Sequence, residues 1–587
     1  MTIRPLIDSG VLFPLSMTVG AILSVYTSNR AYFALEDVVR PLLLALMTCA
    51  LLYFGYGLVN VKGGARSLLA GLVLLLLLTY GHLYNVVEGA TILGKAVGRH
   101  RYLLGVSASL LVLAHLAIIS GRVRPTAGLG KSLSVVGAVA LALTTASVLG
   151  PCACGPQASA GQSSARLPLE SIELEMPASP PDIYYIVLDG YGRQDVLLDF
   201  YQYDNAGFVA ALRNRGFLVA EAASANYIQT RMSLVSALNM AHMDTLLERS
   251  GQPGDQFPFA SALRDNGVRQ LLEAAGYSVY SFETGLPETE WRNADFYLSY
   301  QQDPRYGQET LAWRELSMFE TLLFETTILR LWYEFNEPAA GPVLSGPFAG
   351  AYGQHRARVL YTFKRIGEIA GIAGPKFVFA HVVSPHPPFV FDSQGRPRNP
   401  NRPFNMLDGD AFQGSPQEYQ DGYRQQLAYV NQLVLPAIDA ILEASDRPPV
   451  IVLQGDHGPG GYLAWDSVEQ TELRERFGIL NAYYLPGEQP EEFYPAITPV
   501  NSFRLILRHL FNADLDLLPD TRYFSGRRAP FDLIEVPENQ VMPPDEVGPA
   551  RSSMEDLAPW SRLLLPTGRI VGSPGYLGFL HRVGAWW

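Results

Sequence analysis

Cysteine is scarce in this chain. Three among 587 residues are too few for a disulfide-built scaffold or a Cys-rich zinc module. Cys49 lies in an apolar run, and Cys152 and Cys154 are too close in sequence to bridge each other without strain, so the three are read as unreactive thiols with no catalytic role. Charge is sparse too, at 17% of residues, and unevenly placed. Residues 1–150 hold 11 Lys+Arg and 4 Asp+Glu, a net of +7, so the whole-chain net of −12 leaves −19 for residues 151–587. A strongly acidic soluble part argues against nucleic acid as its partner, because phosphate binding needs a basic footprint. With 48% apolar residues the chain is neither disordered nor collagen-like. Its mean hydropathy of +0.08 fits one very apolar part joined to an ordinary soluble part. The length exceeds one ordinary domain.

Long apolar runs fill the first part. Five stretches, near 10–28, 39–59, 68–87, 102–120 and 132–150, each approach the roughly 20 residues that a spanning helix needs. A cleavable signal peptide cannot account for five. An odd number of spans puts the two ends on opposite sides. With a cytoplasmic N-terminus the inner loops hold Arg4, Lys62, Arg66, Arg122, Arg124 and Lys131, against Arg30, Arg40, Lys95, Arg99 and Arg101 outside, a small margin in the expected direction. No carboxylate lies within the five stretches, which leaves no sign of an ion pathway. His82 and His115 are read as histidines hydrogen-bonded between helices or near the interface.

Residues 155–181 are rich in Ser, Ala, Gly, Gln and Pro, with one short alternation, Ile172-Glu173-Leu174-Glu175-Met176. They are expected to link the membrane part to the next domain. Beyond them the pattern alternates. Strand-like runs at 183–188, 277–282, 376–383, 450–453 and 479–485 are separated by helix-like stretches at 260–275, 351–371, 416–444 and 499–511. Such alternation implies an α/β fold, a mostly parallel sheet with helices on both faces, here preceded by an all-α bundle of five transmembrane helices. The boundaries expected are 1–150 for the bundle, 151–181 for the linker, 182–545 for the catalytic domain and 546–587 for a tail. Segment 316–333 is apolar but broken by Glu320, Glu325 and Arg330, so it cannot span and is expected to be a half-buried helix. The tail from 557 onward has Trp560, Tyr576, Phe579, Trp586 and Trp587 with Arg562, Arg569 and Arg582 and no acid. That composition suits a bilayer interface and equally a tail packed on the domain.

Sites in such sheets lie beyond the carboxyl ends of the strands, and three of these ends carry polar residues. The run 183–188 ends in Asp189-Gly190, the run 376–383 leads to His386-Pro387-Pro388-Phe389, and the run 450–453 ends in Gln454-Gly455-Asp456-His457-Gly458. Each alone is an ordinary turn; together they point to a divalent metal. Carboxylate oxygens and one imidazole suit Mn²⁺ or Zn²⁺. Asp456 and His457 supply two ligands from one turn and Asp189 a third. Thr230, just before an apolar helix-like segment ending near Met240, would ordinarily be a cap. Beside a metal its hydroxyl becomes a nucleophile, and a helix N-terminus favours an anionic substrate.

This set of residues resembles the sulfatase-like branch of the alkaline phosphatase superfamily. Five spans before an external domain are similar to the lipoteichoic acid synthase and phosphoethanolamine transferase type. The resemblance implies an alkaline-phosphatase-like fold, with Asp189, Asp456 and His457 as metal ligands and Thr230 as metal-bound nucleophile. It also implies a role for His386 in contacting the transferred group or protonating the leaving group, with His381 a weaker candidate beside its reading as a buried, hydrogen-bonded histidine. Sulfatases carry a Cys/Ser-x-Pro-x-Arg pattern, whereas Thr230 is followed by Arg231-Met232-Ser233, so sulfate ester hydrolysis is disfavoured. One Asp at the first strand end favours a single metal, Mn²⁺ ahead of Zn²⁺ or Mg²⁺. The resemblance implies a multi-pass protein of the plasma (inner) membrane, with an extracytoplasmic phosphoester hydrolase or transferase acting on a lipid headgroup or cell-envelope glycan. The alternatives are a catalytically inactive envelope scaffold or binding protein and a phosphatase for soluble substrates. Arg193 is read as solvated or ion-paired, and Gln426, Tyr429 and Asn431 as polar groups on a helix face. The sequence leaves the oligomeric state open.

Overall fold

The structure, a computed structural model, describes residues 10–29, 33, 35–61, 63–87, 91–92, 95–96, 99–122, 127–149, 172–250, 259–306, 316–335, 349–400 and 402–543. Most of the expected linker, Cys152, Cys154 and the tail 546–587 lie outside them.

Each of the five apolar stretches forms a helix: α1 Leu12–Ser28, α2 Val39–Leu58, α3 Gly63–Val87, α4 His100–Ile119 and α5 Ala127–Leu149. By length and hydropathy α2, α3 and α4 can each cross a membrane, and α1 and α5 contain shorter apolar stretches. Their outward faces are hydrocarbon, with Leu43, Leu51, Leu110, Leu113 and Val136 all exposed, as lipid-facing helices require. His115 follows its expected role, with Nδ1 bonded to the Leu111 carbonyl at 2.7 Å and Nε2 to the Tyr56 hydroxyl of α2.

The second part is built on seven strands: β1 Ile183–Leu188, β2 Leu218–Val219, β3 Ser278–Phe282, β4 Phe296–Leu298, β5 Lys376–Val382, β6 Val450–Gln454 and β7 Asn481–Tyr484. They lie in the order β2-β7-β6-β1-β5-β3-β4. β1 is flanked by β5 and β6, both parallel to it; β7 runs antiparallel to both of its neighbours, β2 and β6. The fully buried run Ile183-Tyr184-Tyr185-Ile186-Val187-Leu188 is what a strand covered on both faces demands. Ile183, Tyr185 and Val187 face one core, with Met232, Val235, Phe503 and Leu507. Tyr184, Ile186 and Leu188 face the other, with Val359, Ile366, Tyr423 and Val430.

Prominent among the helices that supply these cores are α6 Thr230–Asn239 and α10 Pro499–Phe511 on the first face, and α8 Ala349–Ala370 and α9 Pro416–Ala444 on the second; α7 Met318–Thr326 reaches the margin of the second core through Phe324. By length and hydropathy α9 could also cross a membrane. It carries Glu418, Asp421, Arg424, Asp439 and Glu443, and it lays Tyr419, Tyr423, Leu427 and Val430 on the sheet, so it is a core helix. The single helix expected at 260–275 is two, Phe259–Arg264 and Gly267–Ala274. The Asn266 side chain accepts from the Arg269 N–H at 2.9 Å, capping the second helix and ending the first.

The described end of the linker is not free-standing. Ile172 and Leu174 pack against the first core, the Glu175 N–H donates to the Phe511 carbonyl at 2.8 Å, and the Asn512 amide donates to Glu175.

Candidate active site

Register places the first ligand candidates. Val187 pairs with His381 and Leu188 with Val382 across β1 and β5, and Val187 pairs with Gln454 across β1 and β6. The residues just beyond these ends, Asp189 and Asp456-His457, therefore stand side by side. The Asp189 N–H continues the ladder onto the Val382 carbonyl at 2.9 Å. Gly190 turns the chain at φ +72°, a left-handed conformation that favours glycine, and its N–H donates to Asp456 Oδ1 at 3.1 Å.

Asp189, Asp456 and His457 are all buried, with one ligand atom from each lying within 4.8 Å of the other two. His457 Nδ1 bonds the Gly458 carbonyl at 2.9 Å. A carbonyl only accepts, so Nδ1 carries the proton and Nε2 presents its lone pair. That nitrogen lies 3.5 Å from Asp189 Oδ1 and 3.4 Å from Asp456 Oδ2. Both Asp189 oxygens and Asp456 Oδ2 are buried without a hydrogen-bond partner. Three electron-rich acceptors facing one another in a buried space repel unless a cation sits among them, so these residues fit a divalent metal. Burial and the adjacent Arg476 guanidinium push His457 below the usual histidine range, which keeps the ring in the neutral form that a metal ligand needs. Burial alone would raise the Asp189 carboxyl; the neighbouring histidines, His386 first and then His381 and His457, outweigh it and hold the group well below the usual carboxylate range.

Thr230 is brought to the same point from the far side of the sheet. It is the first residue of α6, with extended Gln229 before it, so it is not the cap. Its Oγ1 lies 3.1 Å from His457 Nε2, the hydroxyl donating to the bare nitrogen. His386 is placed by its backbone, whose N–H donates to the Asp189 carbonyl at 2.9 Å. Its Nδ1 bonds the Pro387 carbonyl at 2.6 Å, and its ring centre is 6.1 Å from that of His457. His381 is buried and bonded through Nδ1 to the Thr289 hydroxyl at 3.1 Å, while Nε2 faces Asp189 Oδ2 at 3.4 Å. It is thus both the hydrogen-bonded core histidine and a neighbour of the site.

Three side chains depart from the sequence reading. Arg193 is ion-paired, as one of the two expected readings had it, to Asp195 at 2.6 Å, but it is buried rather than at the surface and also bonds the Ala223 and Val541 carbonyls at 2.8 and 2.9 Å. Gln426 is not a surface group of α9. Its Oε1 accepts from the Val390 N–H at 2.7 Å and its Nε2 donates to the His386 carbonyl at 3.0 Å, so it shapes the loop that carries His386. Asn431 is likewise buried, accepting from the Tyr191 hydroxyl at 2.6 Å and donating to Asn205 at 2.8 Å. Tyr429 stays at the helix edge, against Phe391.

Two residues that the sequence did not single out complete the surroundings. Arg476 is buried, and its Nε and Nη2 donate to the Ile228 carbonyl, two residues before Thr230, at 3.1 and 2.8 Å. Its Nη1 donates to the Gly458 carbonyl at 3.1 Å and to Asp408 Oδ2 at 2.8 Å. One guanidinium therefore ties the Thr230 loop to the His457 turn. Asp408 also accepts from the Tyr419 hydroxyl at 2.7 Å, and its Oδ2 lies 3.8 Å from His386 Nε2. The one available signal was the charged triplet Arg474-Glu475-Arg476 abutting an apolar strand-like run; Asp408 lies in a polar stretch with no pattern.

A family model described as Sulfatase matches residues 181–503, just over half of the chain. No curated protein matches the sequence. Among solved structures, the C-terminal periplasmic domain of EptC from Escherichia coli, in a complex with Zn, is 14% identical, covers 64% of this chain and 98% of its own, and has a TM-score of 0.40. The integral membrane lipooligosaccharide phosphoethanolamine transferase A (EptA) from Neisseria meningitidis is 12% identical over 84% of this chain and 95% of its own, with a TM-score of 0.36. The lipoteichoic acid synthase LtaP from Listeria monocytogenes is 12% identical over 57% and 75%, with a TM-score of 0.34.

Proposed function

The chain belongs to the sulfatase family, and from that premise we propose that it is a membrane-anchored, metal-dependent phosphoester hydrolase or transferase whose nucleophile is Thr230. The observation that carries the reading is the convergence of Thr230 Oγ1, His457 Nε2 and the buried Asp189 and Asp456 carboxylates at one edge of the sheet. On this reading Thr230 takes the place of the nucleophilic Cys or Ser of the Cys/Ser-x-Pro-x-Arg pattern, and the positions two and four residues on are Met232 and Leu234 rather than Pro and Arg. That difference supports phosphate rather than sulfate esters.

Asp189, Asp456 and His457, with Thr230, would hold one divalent cation. When bound it would lower the pKa of the Thr230 hydroxyl and offset charge on the substrate's phosphoryl oxygens. Thr230 Oγ1 forms a bond to phosphorus as the bond to the leaving alcohol breaks. The first-turn N–H groups of α6 face the same point and favour the phosphoryl anion. For this step His386 carries a proton on both ring nitrogens: Nδ1–H stays on the Pro387 carbonyl and Nε2–H goes to the departing oxygen, to be replaced by the proton of the acceptor hydroxyl in the second step. Attack of an acceptor hydroxyl on the phosphothreonine then frees the enzyme. Water as acceptor makes a hydrolase, and a lipid or glycan hydroxyl makes a transferase. The apolar helices α1 to α5 support a multi-pass inner-membrane protein with this domain on the outer side.

The test is metal content and phosphodiester turnover of the full-length protein in detergent or nanodiscs, after chelation and reloading with Mn²⁺ or Zn²⁺. Turnover restored by metal in the wild type but absent in Thr230→Ala supports the reading. A folded wild type that binds no metal and turns over no diester overturns it in favour of a scaffold role.

A further inference from the structure

The expected half-buried helix at 316–333 bridges two parts of the molecule: Leu316 and Phe324 lie against the second core of the sheet domain, while Phe319 and Leu323 pack on the helical bundle. β4 runs parallel to β3, β5 and β1, so the chain leaves it at the carboxyl edge of the sheet, the edge that carries Asp189 and Asp456. From that edge the chain reaches α7, which opens with a reciprocal box: Ser317 Oγ accepts from the Glu320 N–H at 3.2 Å and Glu320 Oε2 from the Ser317 N–H at 2.8 Å. Phe319 and Leu323 are buried among Ile22 and Val25 of α1 and Val38 at the start of α2. Arg40 Nε donates to Glu320 Oε1 at 2.5 Å.

Past α7 the chain crosses α3. The Ile328 N–H donates to the Leu77 carbonyl at 2.9 Å, and Arg330 donates to Asn85 at 2.7 Å and stacks over Tyr84 at 4.6 Å. At Gly81 a Cβ would stand 2.2 Å from the Glu325 carbonyl oxygen, so no larger residue fits. All of these partners, late in α1 and α3 and early in α2, lie at one end of the bundle, the end that this segment of the sheet domain reaches.

Two large apolar side chains on the segment stay exposed, Leu329 at 52% and Trp332 at 46%. Along the same stretch of α3, Leu75, Leu83 and Val86 are exposed as well. Since α3 is a spanning helix, its outward apolar residues at this level meet lipid, and the exposed face of the segment continues that surface. A Trp close in sequence to an Arg is a combination that suits the bilayer interface.

We propose that residues 316–335 form an interfacial anchor that docks on the outer end of the bundle, buries Leu329 and Trp332 in the bilayer boundary, and holds the carboxyl edge of the sheet over the lipid. The substrate is then drawn from the membrane surface rather than from solution; this last step rests on the phosphoester reading of the site.

The test uses the full-length protein in nanodiscs, in a Cys49→Ser, Cys152→Ser, Cys154→Ser background. An environment-sensitive fluorophore is placed at Leu329→Cys or, as control, at Ile372→Cys on the opposite edge of the sheet. Brominated phosphatidylcholine is expected to quench the Leu329 probe at least twofold and leave the Ile372 probe unchanged. Equal, unquenched emission from both overturns the anchor. A paired assay compares Leu329→Glu/Trp332→Glu with wild type on a vesicle-borne diester and on soluble bis(4-nitrophenyl) phosphate. A tenfold or larger loss confined to the vesicle-borne diester is expected, and equal effects on both overturn the delivery step. A wild type inactive on both diesters removes the phosphoester reading, and quenching still decides the anchor.

Discussion

Thr230 Oγ1 and His457 Nε2 stand 3.1 Å apart across 227 positions of sequence. The contact is directional, because the Gly458 carbonyl holds the proton on His457 Nδ1 and leaves Nε2 as the acceptor. A hydroxyl aimed at a lone pair that also faces two buried carboxylates is placed for chemistry at Oγ1, and this yields the sharpest expectation. Thr230→Ala keeps Asp189, Asp456 and His457 and so keeps bound metal, while kcat falls by about 10³ or more. Thr230→Ser keeps the oxygen and a measurable rate. Elemental analysis beside diester turnover checks both halves; a Thr230→Ala protein with near-normal kcat would remove the nucleophile assignment.

Metal binding should appear as stability. Asp189 and Asp456 present three buried oxygens without hydrogen-bond partners, so the metal-free protein carries repulsion that a cation relieves. At a free metal concentration of about 100 times Kd the wild type gains about 2.7 kcal/mol. Asp189→Asn removes one charge, so this variant is expected to be at least as stable as wild type in EDTA and to gain little from metal. Thermal melts with and without Mn²⁺ or Zn²⁺ decide the matter.

The Arg476–Asp408 pair separates stability from placement. Arg476→Met leaves the Asp408 carboxylate buried without its guanidinium partner, with the Tyr419 hydroxyl bonded to it and His386 Nε2 at 3.8 Å, a loss of about 3–5 kcal/mol. Arg476→Met/Asp408→Leu removes the uncompensated charge and should recover part of that stability. It should not recover activity, because the bonds from Arg476 to the Ile228 and Gly458 carbonyls that tie the Thr230 loop to the His457 turn remain lost. Urea unfolding and kcat of the wild type and the two variants test the split. A double variant no more stable than Arg476→Met would show that the buried charge was not the cause.

Periodicity and run length carried the parts of this architecture that are locally determined. Five apolar runs became five helices, and the buried run 183–188 announced a central strand whose end holds Asp189. Strands of two or three residues, Leu218–Val219 and Phe296–Leu298, were not legible, because pairing at the sheet margins creates them and their own residues do not. Gln426 looked like a helix-face amide because nothing local shows that backbone groups of the loop 385–391 turn toward it. Arg476 was hidden for a similar reason: its acceptors at Ile228, Asp408 and Gly458 come from three distant segments, which only the closed sheet brings together.

The site also has a pH-sensitive support in Glu475. Its carboxyl is fully buried; Oε1 accepts from the Tyr201 hydroxyl and Oε2 from the Tyr462 N–H at 2.9 Å. Burial, reinforced by the charges of Asp408 and Glu472 and only partly offset by these hydrogen bonds, raises it from 4.5 to about 8. The folded protein therefore holds a proton that the unfolded chain releases above about 4.5. Where the native state binds more protons, stability falls as pH rises. The contribution is complete below about 4.5, declines between about 4.5 and 8, and is gone above that. At 1.36 kcal/mol per unit the full swing is on the order of 5 kcal/mol. Glu475→Gln keeps a neutral acceptor of the same shape, so its stability should change less from pH 5 to 9 and exceed that of wild type at pH 9. Urea midpoints across that range measure the difference, and parallel curves for the two proteins would show that Glu475 is ionised in the fold.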